Sequence, residues 1–259
     1  MIEKNKIYHQ DCLETMSSIE DSTVDLIVTS PPYNKNLRSK KLTNSEQRTS
    51  ASSFRSIDYD EYGDDMSHQD YVDWQKKIIE ECLRILKPTG SLFYNHKDIL
   101  HKHNTLHPTY LWDYPVKQLL IWDRKNTPSL DPAYFYPTTE WVFWIKKNVD
   151  SKPKFDRKNA LFSKSVITLG PDSKNAHPAP FPIELASNFI LACTTQGDLV
   201  YDPFMGSGTT ALASIKLNRD YIGSEISKKY IDESHKRIQL ETNQLTLFEE
   251  EQILKKDDR

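Results

Sequence analysis

Leu199-Val200-Tyr201-Asp202-Pro203-Phe204-Met205-Gly206-Ser207-Gly208-Thr209-Thr210 runs from a short apolar stretch, through two closely spaced glycines, into a segment with helical periodicity. A strand that ends in a carboxylate and turns through Gly-x-Gly into a helix is where a nucleotide-like ligand meets an α/β sheet. Gly-x-Gly alone is a weak signal, but only 7 glycines occur in the whole chain and two of them fall here. The next strand-like run, Tyr221-Ile222-Gly223-Ser224-Glu225, ends in a second carboxylate about twenty residues on, a spacing suited to ribose hydroxyls. Position 211 is Ala where a dinucleotide fingerprint needs its third glycine, which disfavours a nicotinamide cofactor. The plain alternative is a tight turn at Gly206 and Gly208 and an exposed strand end at Glu225.

Working outward, short apolar or alternating runs at 25–29, 91–94, 118–122, 140–145, 198–201 and 221–224 predict strands. Helical patterns fall at 13–19, 67–86, 182–194, 209–217 and 227–240. The clearest is 67–86, where Tyr71, Trp74, Ile78, Cys82 and Ile85 share one face. Ser67 and Asp70 form a capping box there, and Pro88-Thr89-Gly90 is the stop. Strands alternating with helices predict an α/β fold built on a mainly parallel open sheet with helices on both faces. Residues 35–65 and 148–176 break the alternation, and loops of that length are usually functional.

The chain has 259 residues, 34 Lys and Arg against 37 Asp and Glu, and a net charge of -3. Mean hydropathy is low, at -0.67, but 10 Phe, 13 Tyr and 5 Trp supply enough area to close a core, which excludes a disordered chain. No apolar run approaches the ~18 residues of a membrane helix, and the start lacks an apolar signal core, so a soluble, cytoplasmic protein is expected. Cys12, Cys82 and Cys193 are widely spaced, without Cys-x-x-Cys, which argues against a disulfide framework and a zinc site. His96, His101, His103 and His107 cluster, but no Cys or acidic pair completes a metal set, so no metal is expected and the four read as a polar loop. Two segments are locally basic: six basic residues between Lys35 and Ile57, and six between Lys146 and Lys158. Each reads as a solvated loop or as a phosphate-contacting surface.

A second constellation decides between chemistries. The apolar run Val24-Asp25-Leu26-Ile27-Val28 ends in Thr29-Ser30-Pro31-Pro32-Tyr33-Asn34. Consecutive prolines hold the backbone extended and remove two N–H donors, so the carbonyls stand as acceptors beside an aromatic ring. The Ser30 hydroxyl and Pro31 carbonyl can accept the two hydrogens of a planar amine while Tyr33 stacks on its face. A Pro-Pro turn without function is the alternative.

Residues 27–34 resemble the catalytic motif of the DNA amino-methyltransferases, and 201–210 resemble their S-adenosylmethionine motif. With the catalytic motif first, the order is that of the permuted beta group. Protein-glutamine methyltransferases share Pro-Pro-Tyr but carry the glycine motif first. Tyr8-His9-Gln10-Asp11-Cys12-Leu13 and the stretch from His177-Pro178 through Pro182-Ile183-Glu184-Leu185 also resemble family segments, although Phe181 stands where the family usually has Lys. Methylation at cytosine carbon-5 needs a Pro-Cys pair, and no cysteine here follows a proline.

The resemblance implies a Rossmann-like S-adenosylmethionine-dependent methyltransferase fold with circularly permuted motifs. It spans a single catalytic domain at 1–243, with 35–65 and 125–176 as DNA-contacting and target-recognition segments. The implied catalytic residues are Ser30, Pro31, Pro32 and Tyr33, the last stacking on a base flipped from the duplex. Asp11, with Cys12 beside it, is implied near the adenine amino group, while position also makes Asp11 a helix N-cap; both readings can hold. Asp202, Phe204, Gly206, Gly208, Thr209 and Thr210 are implied at the methionine part, Glu225 at the ribose, and His177 nearby. Ser before Pro-Pro favours cytosine N4 as the methyl acceptor. Adenine N6, or a catalytically idle DNA-binding or scaffold protein of the same fold, stands as the alternative.

Double-stranded DNA is the expected partner, read through Arg124, Lys125, Asn126, Tyr134, Tyr136 and Arg157. The polar loop of His96, His101, His103 and His107 can touch it as well. A homodimer, a cognate restriction endonuclease and a prokaryotic, nucleoid-associated location complete the expectation. The tail 244–259 opens with Gln244-Leu245-Thr246-Leu247-Phe248, which resembles the peptide by which bacterial proteins dock on the polymerase sliding clamp. Either Gln244, Leu245, Leu247 and Phe248 dock there as a mobile extended peptide, or the apolar three pack the last helix on the body.

Overall fold

The computed structural model describes residues 2–34, 66–101, 104–126, 135–170 and 181–257, excepting the side chains of 100, 101, 104 and 244–257. The chain forms β1 (Lys6–His9), α1 (Cys12–Ser17), β2 (Val24–Thr29), α2 (His68–Ile85), β3 (Leu86–His96), β4 (Ile99–His101) and β5 (Asn104–Leu106). A 3-10 turn at Thr109–Asp113 leads into β6 (Val116–Asp123), β7 (Thr139–Ile145) and β8 (Val166–Thr168). Then come α3 (Ile183–Cys193), β9 (Leu199–Asp202), α4 (Thr209–Lys216), β10 (Asp220–Glu225) and α5 (Lys228–Asp257).

Among the described residues, eight strands make one sheet in the order β1-β10-β9-β2-β3-β7-β6-β8. Neighbours pair in parallel from β1 through β3 and between β6 and β8, whereas β7 runs antiparallel to both β3 and β6. The sheet is thus mainly parallel, as expected. Alternation along β2 sends Ile27 to one face, against Ile78, Ile79 and Cys82 of α2. Leu26 and Val28 go to the other, against Leu185, Phe189 and Ile190 of α3. Helices therefore cover both faces. Truncating one of these fully buried side chains, as in Ile78→Ala, removes ~2–5 kcal/mol of stability.

The local signals hold where chemistry is local. Ser67 caps α2 by accepting the Asp70 N–H at 3.1 Å and donating its hydroxyl to the Asp70 carboxylate at 2.6 Å. The predicted stop is different: Pro88-Thr89-Gly90 lies inside β3, because the chain leaves α2 directly into an extended run at Leu86. β8 was hidden in the polar stretch 148–176, being a three-residue edge strand with Val166 exposed. The last helix continues far beyond residue 240, so the backbone of 244–248 is helical, not an extended tail. Its Glu-, Gln- and Leu-rich composition favours that outcome.

Order sets function. From β9 the chain passes through α4 on one face to β10, and from β2 through α2 on the other face to β3. The crevice at the carboxyl ends of β9 and β2 is therefore the topological switch point, where open α/β sheets bind ligands.

Candidate active site

The permuted order brings the two motifs into contact. Thr29, ending β2, donates its hydroxyl to Asp202 Oδ1 at 2.7 Å across 173 residues of sequence. Asp202 is 1% exposed and also accepts the Phe204 N–H at 3.0 Å and the Thr210 hydroxyl at 2.6 Å. Burial pushes its carboxyl up to about 6, against the downward pull of these three hydrogen bonds. Asp202 is thus the pin that fixes the end of β2 to the glycine loop.

The glycine loop is clasped from two sides. Glu225 Oε2 accepts the Gly206 N–H at 2.8 Å and its Oε1 accepts the Ser227 N–H at 2.8 Å; burial raises this carboxyl too. Gly208 caps α4 at φ +83, and a Cβ there would sit 2.8 Å from Cβ of Ser234 on α5, so only glycine lets that helix approach. Arg237 of α5 donates to the Ser207 carbonyl at 2.7 Å. Asp11 caps α1 through the Leu13 N–H at 2.8 Å, and its other carboxylate oxygen has no partner among the described residues.

At the end of β2, Pro31 is buried and its carbonyl has no partner among the described residues. The Pro32 carbonyl, by contrast, accepts the Tyr71 hydroxyl at 2.9 Å, which corrects the expectation of two free acceptors. Tyr71 in turn meets His96 Nε2 at 2.9 Å, and the Lys97 N–H donates to His96 Nδ1 at 2.9 Å. With Tyr71 donating to Pro32, its oxygen is open to an Nε2 hydrogen, while Nδ1 also lies 2.8 Å from the Lys97 carbonyl. Burial lowers the imidazole pKa to about 4, which favours the neutral ring.

Tyr33 is 2% exposed, with its hydroxyl 2.6 Å from Ser30 Oγ and 3.2 Å from Glu140 Oε2. Asn95, near the end of β3, has three acceptors within reach of the two hydrogens on Nδ2: Glu140 Oε2 at 2.7 Å, Tyr33 Oη at 2.9 Å and Ser30 Oγ at 3.3 Å. Arg124 Nη1 lies 2.8 Å and Lys97 Nζ 3.8 Å from Glu140 Oε1. Asn34 and Met66 exchange two hydrogen bonds, at 2.9 and 3.0 Å, joining the chain on either side of 35–65 beside this cluster.

Comparison with known proteins gives this crevice its context. A family model described as DNA methylase, of the N6/N4 methyltransferase type, matches residues 24–236. The chain belongs to that DNA methylase family. It is 30% identical to the type II methyltransferase M.HinfI of Haemophilus influenzae, over 90% of this chain and 68% of the relative. It is 27% identical to M.BglII of Bacillus subtilis, over 88% of this chain and 67% of the relative. The fold matches the cytosine-N4-specific PvuII DNA methyltransferase with a TM-score of 0.71 at 22% identity, over 91% of this chain and 86% of the other. It also matches an M1.HpyAVI–SAM complex with a TM-score of 0.59 at 23% identity, over 90% and 98%.

For this family member the structure gathers most of the expected residues in one crevice: Ser30, Pro31, Pro32 and Tyr33 at the end of β2, Asp202 through Thr210 at β9, Glu225 at β10 and Asp11 after β1. Thr209 and Thr210 are buried in the first turn of α4. Phe204 packs beside Trp74 with ring centroids 5.7 Å apart. The Cys12 side chain faces the core, where burial pushes its thiol far up, so only its backbone can reach the crevice. His177, Tyr134, the basic segment 35–57 and the side chains of Gln244, Leu245, Leu247 and Phe248 lie outside the described residues.

Three expectations change. Arg124 is bound to Glu140 behind Tyr33 instead of standing free to read bases. His96 is a core residue beside Pro-Pro, while His107 stacks on Trp141 and pairs with Asp98 at 2.9 Å. The basic stretch 146–158 follows β7, which is antiparallel to β3, to the opposite end of the strands, where β2, β3 and β9 begin. There Lys147 donates to the Arg84 and Leu86 carbonyls and Lys154 pairs with Asp198, so this stretch does not line the crevice. Lys125 and Tyr136, both exposed, do flank it, on the connection from β6 to β7. The residues missed by sequence reasoning are Tyr71, Asn95, Lys97 and Glu140; the one available signal was that Glu140 starts an apolar strand that it then enters buried.

Proposed function

We propose that this chain transfers a methyl group from S-adenosylmethionine to the exocyclic amine of a base flipped out of double-stranded DNA, with cytosine N4 as the acceptor. The observation that carries the reading is the pair of acceptors at the end of β2, Ser30 Oγ and the Pro31 carbonyl, which has no partner among the described residues, pinned to the glycine loop through Thr29 and Asp202. Serine before Pro-Pro is the form that the family resemblance links to cytosine N4, and the PvuII enzyme of like fold is cytosine-N4-specific.

The residues fit the cofactor. Glu225 carries one backbone N–H on each oxygen, which leaves lone pairs on both for vicinal ribose hydroxyls. The oxygen of Asp11 that has no partner among the described residues suits an adenine amino group. Asp202 and Glu225 make the loop surroundings acidic, which suits a phosphate-free cationic ligand better than a dinucleotide. Phe204 and the loop from Gly206 to Thr210 would face its methionine part. When bound, S-adenosylmethionine supplies an electrophilic methyl group on a sulfonium.

This chain's residues do the positioning. Ser30 and Pro31 accept the two amine hydrogens, which favours a pyramidal nitrogen with its lone pair available. Stacking of the base on Tyr33 requires the ring face to be cleared, since the Lys97 ammonium lies 4.7 Å from its centroid. The clamp-docking role of 244–248, the homodimer and the cognate endonuclease stay as parts of this proposal.

The test is incubation with labelled S-adenosylmethionine and unmethylated genomic DNA, then mass spectrometry of the digested nucleosides. N4-methylcytosine is expected. N6-methyladenine alone would replace cytosine by adenine, and no label in DNA would leave an idle member of the family.

A further inference from the structure

Glu140 lies buried behind Tyr33, 4% exposed, and the reading above gives it no role. Its Oε1 faces two cations, Arg124 at 2.8 Å and Lys97 at 3.8 Å, and as a carboxylate it accepts at both oxygens. Oε2 receives the Asn95 amide and the Tyr33 hydroxyl. An acceptor-only neighbour at 2.7 Å forces the nitrogen of that amide inward, and Asn95 Oδ1 is left buried without a partner among the described residues. Glu140 therefore dictates an orientation that Asn95 alone would not choose.

The same logic reaches Ser30. Between Ser30 Oγ and Tyr33 Oη, 2.6 Å apart, either hydroxyl can donate. If Tyr33 donates to Ser30, it fills a lone pair, and the Ser30 hydrogen is turned towards the amine hydrogens it should accept. If Tyr33 donates to Glu140, Ser30 donates to Tyr33 and keeps a lone pair for the amine.

We propose that Glu140 is a positioning residue that sets the direction of the Ser30–Tyr33–Glu140 hydrogen-bond chain, making Ser30 an acceptor for the amine of the base. This rests on the methyl-transfer reading above, in which Ser30 contacts that amine.

The experiment is a double-mutant cycle on the full chain, measured as kcat, as KM for cofactor and DNA, and as thermal stability. Glu140→Gln offers Tyr33 a donor, so kcat should fall at least about tenfold while both KM values stay within about twofold. Glu140→Asp, which keeps an acceptor, should recover part of that loss. Tyr33→Phe keeps the ring and breaks the chain, so adding Glu140→Gln to it should lower kcat by no more than about twofold. Should Glu140→Gln not fold, the Arg124→Gln/Glu140→Gln pair removes the stranded guanidinium and is measured with and without Tyr33→Phe in the same way. Losses that multiply, or an unchanged kcat in Glu140→Gln, overturn the proposal. A wild-type chain that transfers no methyl group overturns the function as well; an active wild type with multiplying losses overturns this inference alone.

Discussion

The two halves of the crevice are built differently. At the cofactor end, Asp202, Gly206, Thr210 and Glu225 lie within one short stretch of chain and are tied mainly to backbone N–H groups. At the base end, side chains bind side chains, and Tyr33, Asn95, Arg124 and Glu140 come from four separate places in the sequence. A backbone-built cradle tolerates change only where geometry permits, whereas a side-chain network can be altered one proton at a time. Under the proposed function, the first suits a ligand that never varies, the second a base that must be chosen.

If that contrast is sound, the largest single effect comes from geometry at the cofactor end. Gly208→Ala combines positive φ with a 2.8 Å approach to Ser234, and urea unfolding should show a loss of about 3 kcal/mol together with loss of cofactor binding. A variant as stable as the parent would mean that α5 does not brace the loop. Next, Ser30→Ala should lower kcat by about a hundredfold, ~2.7 kcal/mol, with cofactor affinity unchanged by calorimetry. A matching drop in affinity would erase the division between the ends. Third, Glu225→Ala should weaken cofactor binding by about 2 kcal/mol through the lost charge-assisted hydrogen bonds. Normal affinity would remove Glu225 from the site.

The smallest effect uses a titrating group from each end. Folded His96 has its pKa lowered to about 4, so as pH falls below ~6.5 the unfolded chain gains a proton that the fold refuses. That removes about 1 kcal/mol of stability by pH 5.5. Folded Asp202 has its pKa raised to about 6, so it takes up its proton before the unfolded chain does, and stability rises by about as much over the same range. The two offset each other in the wild type. His96→Gln should therefore become more stable, by about 1 kcal/mol, between pH 7 and 5.5, while the wild type stays nearly level. Parallel pH curves for the two proteins would contradict the neutral, buried imidazole.

This contrast also explains what was legible beforehand. The sheet class, α2 with its Ser67 cap and the glycine loop followed from residues adjacent in sequence. Glu140 and Asn95 did not, because they stand 107 and 62 positions from Tyr33 and have meaning only once β7 and β3 are paired beside β2. Arg124 carried a charge signal in its own stretch, but its partner, Glu140, belongs to another strand. The lysines of 146–158 misled for the converse reason: local charge says nothing about which end of the strands a loop occupies.

The pairing of Leu26 in β2 with Val200 in β9 has a consequence in time. β3 can join β2 early in translation, but β9 and β10 are among the last strands to leave the ribosome. At about 5–20 residues per second, the chain between those partners takes roughly 10–35 s to make. For that interval one side of a strand with the apolar run Leu26-Ile27-Val28 stands as an open sheet edge, the kind of edge that invites mispairing. Its completion and the joining of Thr29 to Asp202 are the same event, so a nascent chain has no catalytic crevice until its edge has been sealed.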